Sequence, residues 1–574
     1  MTRFIIFVLI AIILLSCGNR HGAATRALSY EVLRGESRFE PVALHEFSRP
    51  ASAMAATNMF SGRLRFGAGQ PQTRAKILVD SLGLFEQDSS GLLSLPEFDY
   101  QFVQHGGDLI PLRYGPIANT HGWWEYILLP GHVWDEQSDH GFSRAALPFA
   151  LKERNQDCIH NGLLTFLFDD SGEISRVALQ ISSQTCAYLQ FELHGLIDAE
   201  YRMAGVEGRA NAIEGFAKEN DSRLPRKAIE QLNHDYPGAD FAMFGAANEI
   251  APASMSVFGF IIDNRHYAGG CATPRGDYPY CEQFVVPSYS TAKSIVAGVA
   301  VMRAEQRHPG FSKGRIEDLV AECATGWHGV TIEHALDMTT GHYNSPKPYE
   351  DEDSALNARF FDAEDHRSRI DFACNAIDRR AEPGQIWVYH TWDTYLAGVA
   401  IGRQWQSIYG RDSDFFDDLL IRDIWEPLQL SRLSQQTRRT YDDMRQPFVG
   451  YGLSMFTDDV AKLAVFLGAS DGEINGKRVL DQRMMDAIKQ RLASDPGMVA
   501  ESDLLRYNNG FRTRNVTDEV GCDRPVFVTT MSGFGGINIV LMPNDTAYYY
   551  FSDAHQHRYL SAVREAHKIR SLCP

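Results

Sequence analysis

Pro287-Ser288-Tyr289-Ser290-Thr291-Ala292-Lys293-Ser294, running on into Ile295-Val296-Ala297-Gly298-Val299-Ala300-Val301-Met302, is the stretch from which the rest of the chain can be read. After Ser290 the apolar residues recur at helical spacing with small ones between them, which predicts a buried helix. Ser290 then lies in its first turn, and Lys293 projects from the same face one turn on. A serine hydroxyl is a poor nucleophile until a base stands within hydrogen-bond reach. A lysine can be that base where burial or a neighbouring cation favours its neutral form. A buried helix start also offers backbone N–H groups that can hold a developing oxyanion. The plain alternative makes Ser290 a helix cap and Lys293 a snorkelling surface side chain. Ser-x-x-Lys is a short motif, and it occurs once in the sequence.

At 574 residues the chain is too long for one ordinary core, so two or more domains are expected. A net charge of −18 argues against nucleic acid or an anionic membrane surface as the main partner. The N-terminus differs from the rest. Met1-Thr2-Arg3 is a short basic start, and Phe4 to Leu15 is an apolar run of signal-peptide length, ending in Leu14-Leu15-Ser16-Cys17-Gly18. This resembles a bacterial lipoprotein signal, which implies cleavage before Cys17, its lipidation, and export towards the outer membrane and periplasm. The membrane is then met only through a lipid anchor. Cys158, Cys186, Cys271, Cys281, Cys323, Cys374, Cys522 and Cys573 remain, an even number suited to disulfides in an exported protein. The sequence-local pairing is 158–186, 271–281, 323–374 and 522–573, among about 105 connectivities. Without any Cys-x-x-Cys a zinc ribbon is not expected.

Residues 17–74 show little periodicity and read as a tether. From 75 to 200 the pattern is strand-like: Gly162 to Phe168, the polar turn Asp169-Asp170-Ser171-Gly172, then Ile174 to Ile181 read as a hairpin that Cys158 and Cys186 flank. The aromatic cluster Trp123, Trp124, Tyr126 and Trp134 reads as core before it reads as a sugar platform. Residues 201–234 read as a linker entering a helix. The second domain, 235–574, opens with a strand from Met255 to Ile262. It passes through a helical middle and ends with strands around 525–530, 537–542 and 547–551 and a closing helix. A sheet built from both ends of a segment, with helices between, is a layered α/β domain.

Two further stretches carry chemistry. Trp387-Val388-Tyr389-His390-Thr391 follows the Glu382-Pro383-Gly384 turn, which would deliver Tyr389 on a loop at a helix start, where its hydroxyl could relay a proton beside a lysine. Met531-Ser532-Gly533-Phe534-Gly535-Gly536 sits between two strands, where glycines let a substrate backbone lie close. With these three in order, residues 235–573 resemble the serine beta-lactamase and penicillin-binding-protein-like hydrolases, nearest to class C-related esterases and 6-aminohexanoate-oligomer hydrolases. Ser290-Thr291-Ala292-Lys293, Tyr389-His390-Thr391 and Phe534-Gly535-Gly536 stand for the Ser-x-x-Lys, Tyr-x-Asn and Lys-Thr-Gly-type motifs. Val330 to Gly341, Tyr451 to Lys462 and Asn475 to Leu480 are similar to further family segments.

The resemblance implies an antiparallel sheet flanked by helices with a helical subdomain, preceded here by a β-rich region. It implies an acyl-enzyme formed on Ser290, with Lys293 as base and Tyr389 relaying a proton to the leaving group. The oxyanion would rest on the Ser290 amide and one from Gly535-Gly536-Ile537, with no metal or cofactor. Thr391 replaces the family's Asn or Ser, and a hydroxyl can still hydrogen-bond. His390 is either a general base or, as we read it, a packed or surface loop residue. Phe534 stands where the family has a cation for a substrate carboxylate, which points to a neutral ester, amide or peptide-like substrate. The alternatives are a binding or sensor protein with weakened catalysis and a cell-wall peptidase or beta-lactamase. Gly468-Ala469-Ser470-Asp471-Gly472 matches a nucleophile elbow but follows a helix, so it reads as a loop. His555-Gln556-His557 lacks a third ligand and reads as a solvated turn. Asp351-Glu352-Asp353 and Asp414-Phe415-Phe416-Asp417-Asp418 read as solvated faces.

Overall fold

Strand-forming residues crowd the first third of the chain and pair there. In the computed structural model, which describes residues 27–67, 74–182, 186–246, 249–323 and 325–574, Ile159–Phe168 and Val177–Ile181 form the expected hairpin, with Ala178 opposite Thr165. Ser143–Glu153 lies along the other side of Ile159–Phe168, and a twelve-stranded antiparallel sheet grows outward from these. Alternate residues of its central strands, among them Leu147, Phe149, Leu164, Phe166 and Leu179, meet Phe98, Phe102, Trp124 and Tyr126 in one core. The residues between them are apolar as well: Leu163, Leu167 and Ala178 enter the core of the second half. Trp124 and Trp134 are core, as read from the sequence.

Two stretches differ from the sequence reading. Those residues of the expected tether, 17–74, that the structure describes are packed. Leu28, Leu33, Leu44 and Phe47 are buried in the same core as the helix after Ser290, and Ser61–Phe66 is a strand of the large sheet between Phe98–His105 and Glu200–Met203. Their apolar residues are irregularly spaced, so no period announced them; short turns bury them one by one. The expected linker, 201–234, is likewise structured. Tyr201 and Met203 lie in a sheet strand, the helix Arg209–Asp221 sets Ala212 against Val103 and Ile110, and Arg226–Ala228 runs parallel to Arg265–Gly270. The leader and Cys17 lie outside the described residues.

The second sheet has nine strands and draws on both ends of its segment. Met255–Ile262 pairs with Ala547–Ser552, followed by Ile537–Leu541, Phe527–Gly533, Phe511–Asn515 and Leu505–Asn508, all antiparallel. Leu560–Ile569 packs on one face through Val563 and Ala566 beside Phe260 and Tyr548. The helix after Ser290 and Thr457–Leu467 cover the other. All four expected disulfides are present: Cys158–Cys186, Cys271–Cys281, Cys323–Cys374 and Cys522–Cys573. Among the described residues no helix is long and apolar enough to cross a membrane.

Candidate active site

A short strand becomes a helix at Ser290. Val286–Pro287 pairs with Ser454–Met455, and Ser288 donates its amide to the Leu453 carbonyl. Tyr289 then takes φ +40°, a left-handed conformation that costs a bulky residue about 1–2 kcal/mol. The chain turns there, leaving Ser290 half-buried, and the amides of Thr291, Ala292 and Lys293 close the first turn onto the carbonyls three residues back. Lys293–Gly298 is wound as a π-helix before the α-helix Val299–Arg307 continues it. Such wide turns recur at functional sites.

Lys293 is only 1% exposed, and its Nζ lies 2.9 Å from Ser290 Oγ, 2.9 Å from Thr391 Oγ1 and 3.3 Å from the Gly450 carbonyl oxygen. The Thr391 hydroxyl oxygen and the Gly450 carbonyl can each accept an N–H from this nitrogen, and its third neighbour, Ser290 Oγ, lies where a lone pair on a neutral amine could receive the serine proton. The same nitrogen stands 4.9 Å from the centroid of the Tyr389 ring. Ser290, Lys293, Tyr389 and Thr391 are therefore brought together.

Tyr389 is buried and held by its amide on the Pro348 carbonyl at 2.8 Å. Thr391 opens the long helix Thr391–Tyr409, and Glu352 caps it, accepting the Thr391 amide at 2.9 Å and the Thr391 hydroxyl at 2.5 Å. Lys293, Thr391 and Glu352 form a continuous hydrogen-bonded chain behind Ser290. His390 is buried under this loop, stacked on Trp392, with Nε2 3.2 Å from Asp351 and Nδ1 3.4 Å from Asp393. It is a packed residue, as one of the two readings had it. Burial disfavours its charge, but the two carboxylates outweigh burial and push its pKa up to about 9. Burial also acts against the Asp351 carboxylate, yet the His390 bond and the Asn344 and Ser345 amides hold it below the usual range.

Two expectations are corrected here. Asp351-Glu352-Asp353 is no solvated face: Asp351 is 3% exposed, and Asp351 and Glu352 secure His390 and Thr391 across 39 residues of sequence. A run of carboxylates gives no local hint of such partners. The strand motif is also displaced. Phe534, Gly535 and Gly536 make the tight turn joining Phe527–Gly533 to Ile537–Leu541, Ile537 pairing with Gly533. Gly535 and Gly536 have φ of +84° and +96°, and Gly536 lies so close to Ser552 and Gln556 that a Cβ has no room. The residue that passes the turn ahead of Ser290 is Gly533, where a Cβ would stand 3.0 Å from the Ser288 carbonyl oxygen and 3.3 Å from Tyr289 Cβ. The strand-edge segment is thus Met531-Ser532-Gly533, with Ser532 Oγ 2.8 Å from Asn538 Oδ1. Phe534 is 47% exposed and meets Tyr289, Tyr188 and His555 with its ring.

Arg512 was not singled out in the sequence. It lies 5.4 Å from the centroid of the Tyr389 ring and donates to Glu501 at 2.8 Å and to the Tyr349 hydroxyl at 2.7 Å, so its charge is already paired. Gly468–Gly472 follows the helix Thr457–Leu467 as a turn, and Asp471 within it binds Lys489 and Arg491, in keeping with a loop. Among the described residues, the groups close enough to share a metal ion are Cys158 with His160 and Cys186, and Cys522 with His567 and Cys573. In both, the sulfurs are joined as disulfides.

A family model described as Beta-lactamase matches residues 257–554, more than half of the chain. Solved structures with a similar fold include a family VIII carboxylesterase, at 16% identity over 62% of this chain and 97% of that one, with a TM-score of 0.40. A class C beta lactamase from Rhodobacter sphaeroides matches at 17% identity over 57% and 97%, with a TM-score of 0.38. EstCE1, a hydrolase with promiscuous acyltransferase activity, matches at 15% over 58% and 96%, with a TM-score of 0.41. A search of curated protein sequences gave no match.

Proposed function

The chain belongs to the beta-lactamase family of hydrolases, and from that premise we propose that it is a serine hydrolase working through an acyl-enzyme on Ser290. The observation that carries this reading is the 2.9 Å contact between Ser290 Oγ and the buried Lys293 Nζ at a half-exposed helix start. Ser290 attacks the substrate carbonyl carbon as Lys293 takes its proton, giving a tetrahedral oxyanion. The Ser290 amide and the Phe534 amide, which follows Gly533 past the nucleophile, are the donors proposed for that oxygen. As the intermediate collapses, a proton passes from Lys293, with the Tyr389 hydroxyl, to the leaving alkoxide or amine, and the acyl group stays on Ser290. Water enters by the reverse proton path, releases the acid and restores the serine. Thr391, held by Glu352, keeps Lys293 directed at the serine between the two halves.

The substrate proposed is a neutral ester, amide or short peptide-like molecule. Met531, Ser532 and Gly533 offer no cation along the strand edge, and the nearby Arg512 is engaged by Glu501 and Tyr349. The reading includes export on a lipid at Cys17, for which loss of palmitate incorporation in Cys17→Ser is the test. The decisive experiment labels the protein with a fluorophosphonate beside Ser290→Ala and Lys293→Ala, and maps the adduct. An adduct on Ser290 that is lost in the first variant and much slower in the second is expected. A folded wild-type protein that takes no label would overturn the reading.

A further inference from the structure

The loop between the two longest strands of the N-terminal sheet reaches the turn that carries Ser290. Asp157, in that loop, is 2% exposed and accepts the Tyr289 amide through Oδ2 at 2.5 Å and the Ser288 hydroxyl at 3.2 Å. Its other oxygen takes the Lys152 ammonium at 2.5 Å, and Lys152 donates a further bond to Ser454 Oγ at 3.1 Å. Ser454 belongs to the short strand paired with Val286–Pro287, immediately ahead of the turn. The buried pair therefore grips the nucleophile segment on both of its strands. The next residue, Cys158, is tied to Cys186, and beyond that disulfide Ala187 lies against Gly535, and the Tyr188 ring against Phe534. The contacts of Lys152, Asp157, Ala187 and Tyr188 with Ser454, Ser288, Tyr289, Gly535 and Phe534 all cross from the first sheet to the hydrolase half.

We propose that the N-terminal sheet completes the active site, with Asp157 as a positioning residue that holds the Tyr289–Ser290 backbone in its left-handed turn. This rests on the serine-hydrolase reading above. Tyr289 sits at φ +40°, a conformation that persists only where surroundings over-determine it, and its amide is the group Asp157 binds. A charged acceptor makes a bond roughly twice as strong as a neutral one, and here it acts away from water. The N-terminal sheet is on this view a brace for the nucleophile. Asp157 touches no substrate, so its removal should leave binding intact and slow the chemical step.

Two double variants separate positioning from bulk stability. Lys152→Met with Asp157→Asn removes both buried charges but keeps an oxygen facing the Tyr289 amide. Lys152→Met with Asp157→Leu removes the same charges and the acceptor. Fluorophosphonate labelling of Ser290 and turnover of a p-nitrophenyl ester are read for each, together with the melting temperature. The expected result is acylation within about threefold of wild type for the first. For the second, a misplacement of the order of 1 Å costs about 10²-fold in kcat with KM little changed. Equal acylation in the two would overturn the proposal. If the leucine variant does not fold, Asp157→Glu keeps the ion pair while shifting the acceptor by one methylene, and unchanged kcat there would overturn it as well. Absence of any Ser290 adduct in the wild type is a separate result that defeats the serine-hydrolase reading itself.

Discussion

Burying an imidazole ordinarily neutralises it, yet His390 faces two carboxylates, and the balance runs the other way. Its pKa rises from the usual 6.5 to about 9. A pKa raised in the folded state means stability that is fully present below pH 6.5 and lost as pH climbs through 9, worth at most about 3 kcal/mol. Burial pushes Asp337 to about 8 and Glu153 to about 7, and these lose stability in the same direction, so denaturation curves alone do not isolate the histidine. An NMR titration of the His390 imidazole does: a midpoint near 9 is expected, and one near 6.5 would refute the charged triad. Glu352 affords a second test. Glu352→Leu leaves the Thr391 amide and hydroxyl without their acceptor, and acylation of Ser290 should slow about 10²-fold, the low end of positioned proton-transfer effects. Glu352→Gln, which keeps an acceptor oxygen, should lose less. At this scale the sequence was legible where partners are close along the chain. Ser290 and Lys293 are three residues apart and needed only helical geometry. Asp351 and Glu352 act across 39 residues, and nothing local marks a carboxylate as capping a distant helix.

The helix after Ser290 is as tightly walled as its small residues suggested. Gly298 has no room for a Cβ, which would stand 2.5 Å from the Asn509 carbonyl oxygen. Gly510, at φ +83°, faces the same helix, where a Cβ would lie 2.6 Å from the Lys293 carbonyl oxygen, while its own carbonyl accepts Ser294 Oγ at 2.6 Å. Gly510→Ala must therefore either move the lysine's backbone or distort the hairpin. A cost of about 2–4 kcal/mol follows from the left-handed conformation and overpacking together. The expected outcome is a lower melting temperature together with slower Ser290 labelling; a drop in melting temperature with unchanged labelling would show that the strain is absorbed away from Lys293. Elements with a strong period were legible, as with this helix, the terminal strands and the hairpin at 159–181. The turn at Phe534–Gly536 was not. Two adjacent glycines mark close approach without saying which chain element approaches, and the residue that passes the Ser290 turn is Gly533, one position before Phe534.

Whether the two halves behave as one body depends on what lies between them. Every residue of Ser143–Glu153 and Ile159–Phe168 is buried, so these strands are covered on both faces. On the outer face Ile127, Ala150 and Ile159 meet Val285, Leu433 and Phe456. Polar groups cross the same boundary in pairs: Asn161 bonds the Val285 amide and carbonyl at 2.9 and 3.0 Å, and buried Glu125 meets buried Arg438 at 3.0 Å. The run Gly162 to Phe168 already carried this in sequence, because a near-continuous apolar strand marks a sheet covered on both sides. It was legible as a strand, while the identity of the second cover depended on contacts more than a hundred residues away. Separating the halves would expose that apolar face and leave Arg438 and Glu125 unpaired, a loss large enough to couple their unfolding. Calorimetry should accordingly show one transition whose calorimetric and van't Hoff enthalpies agree. Residues 204–574 expressed alone should aggregate, or fail to label at Ser290 for want of Asp157. Two well-separated transitions, with a soluble 204–574 fragment that labels at the full rate, would show that the first sheet is an independent attachment.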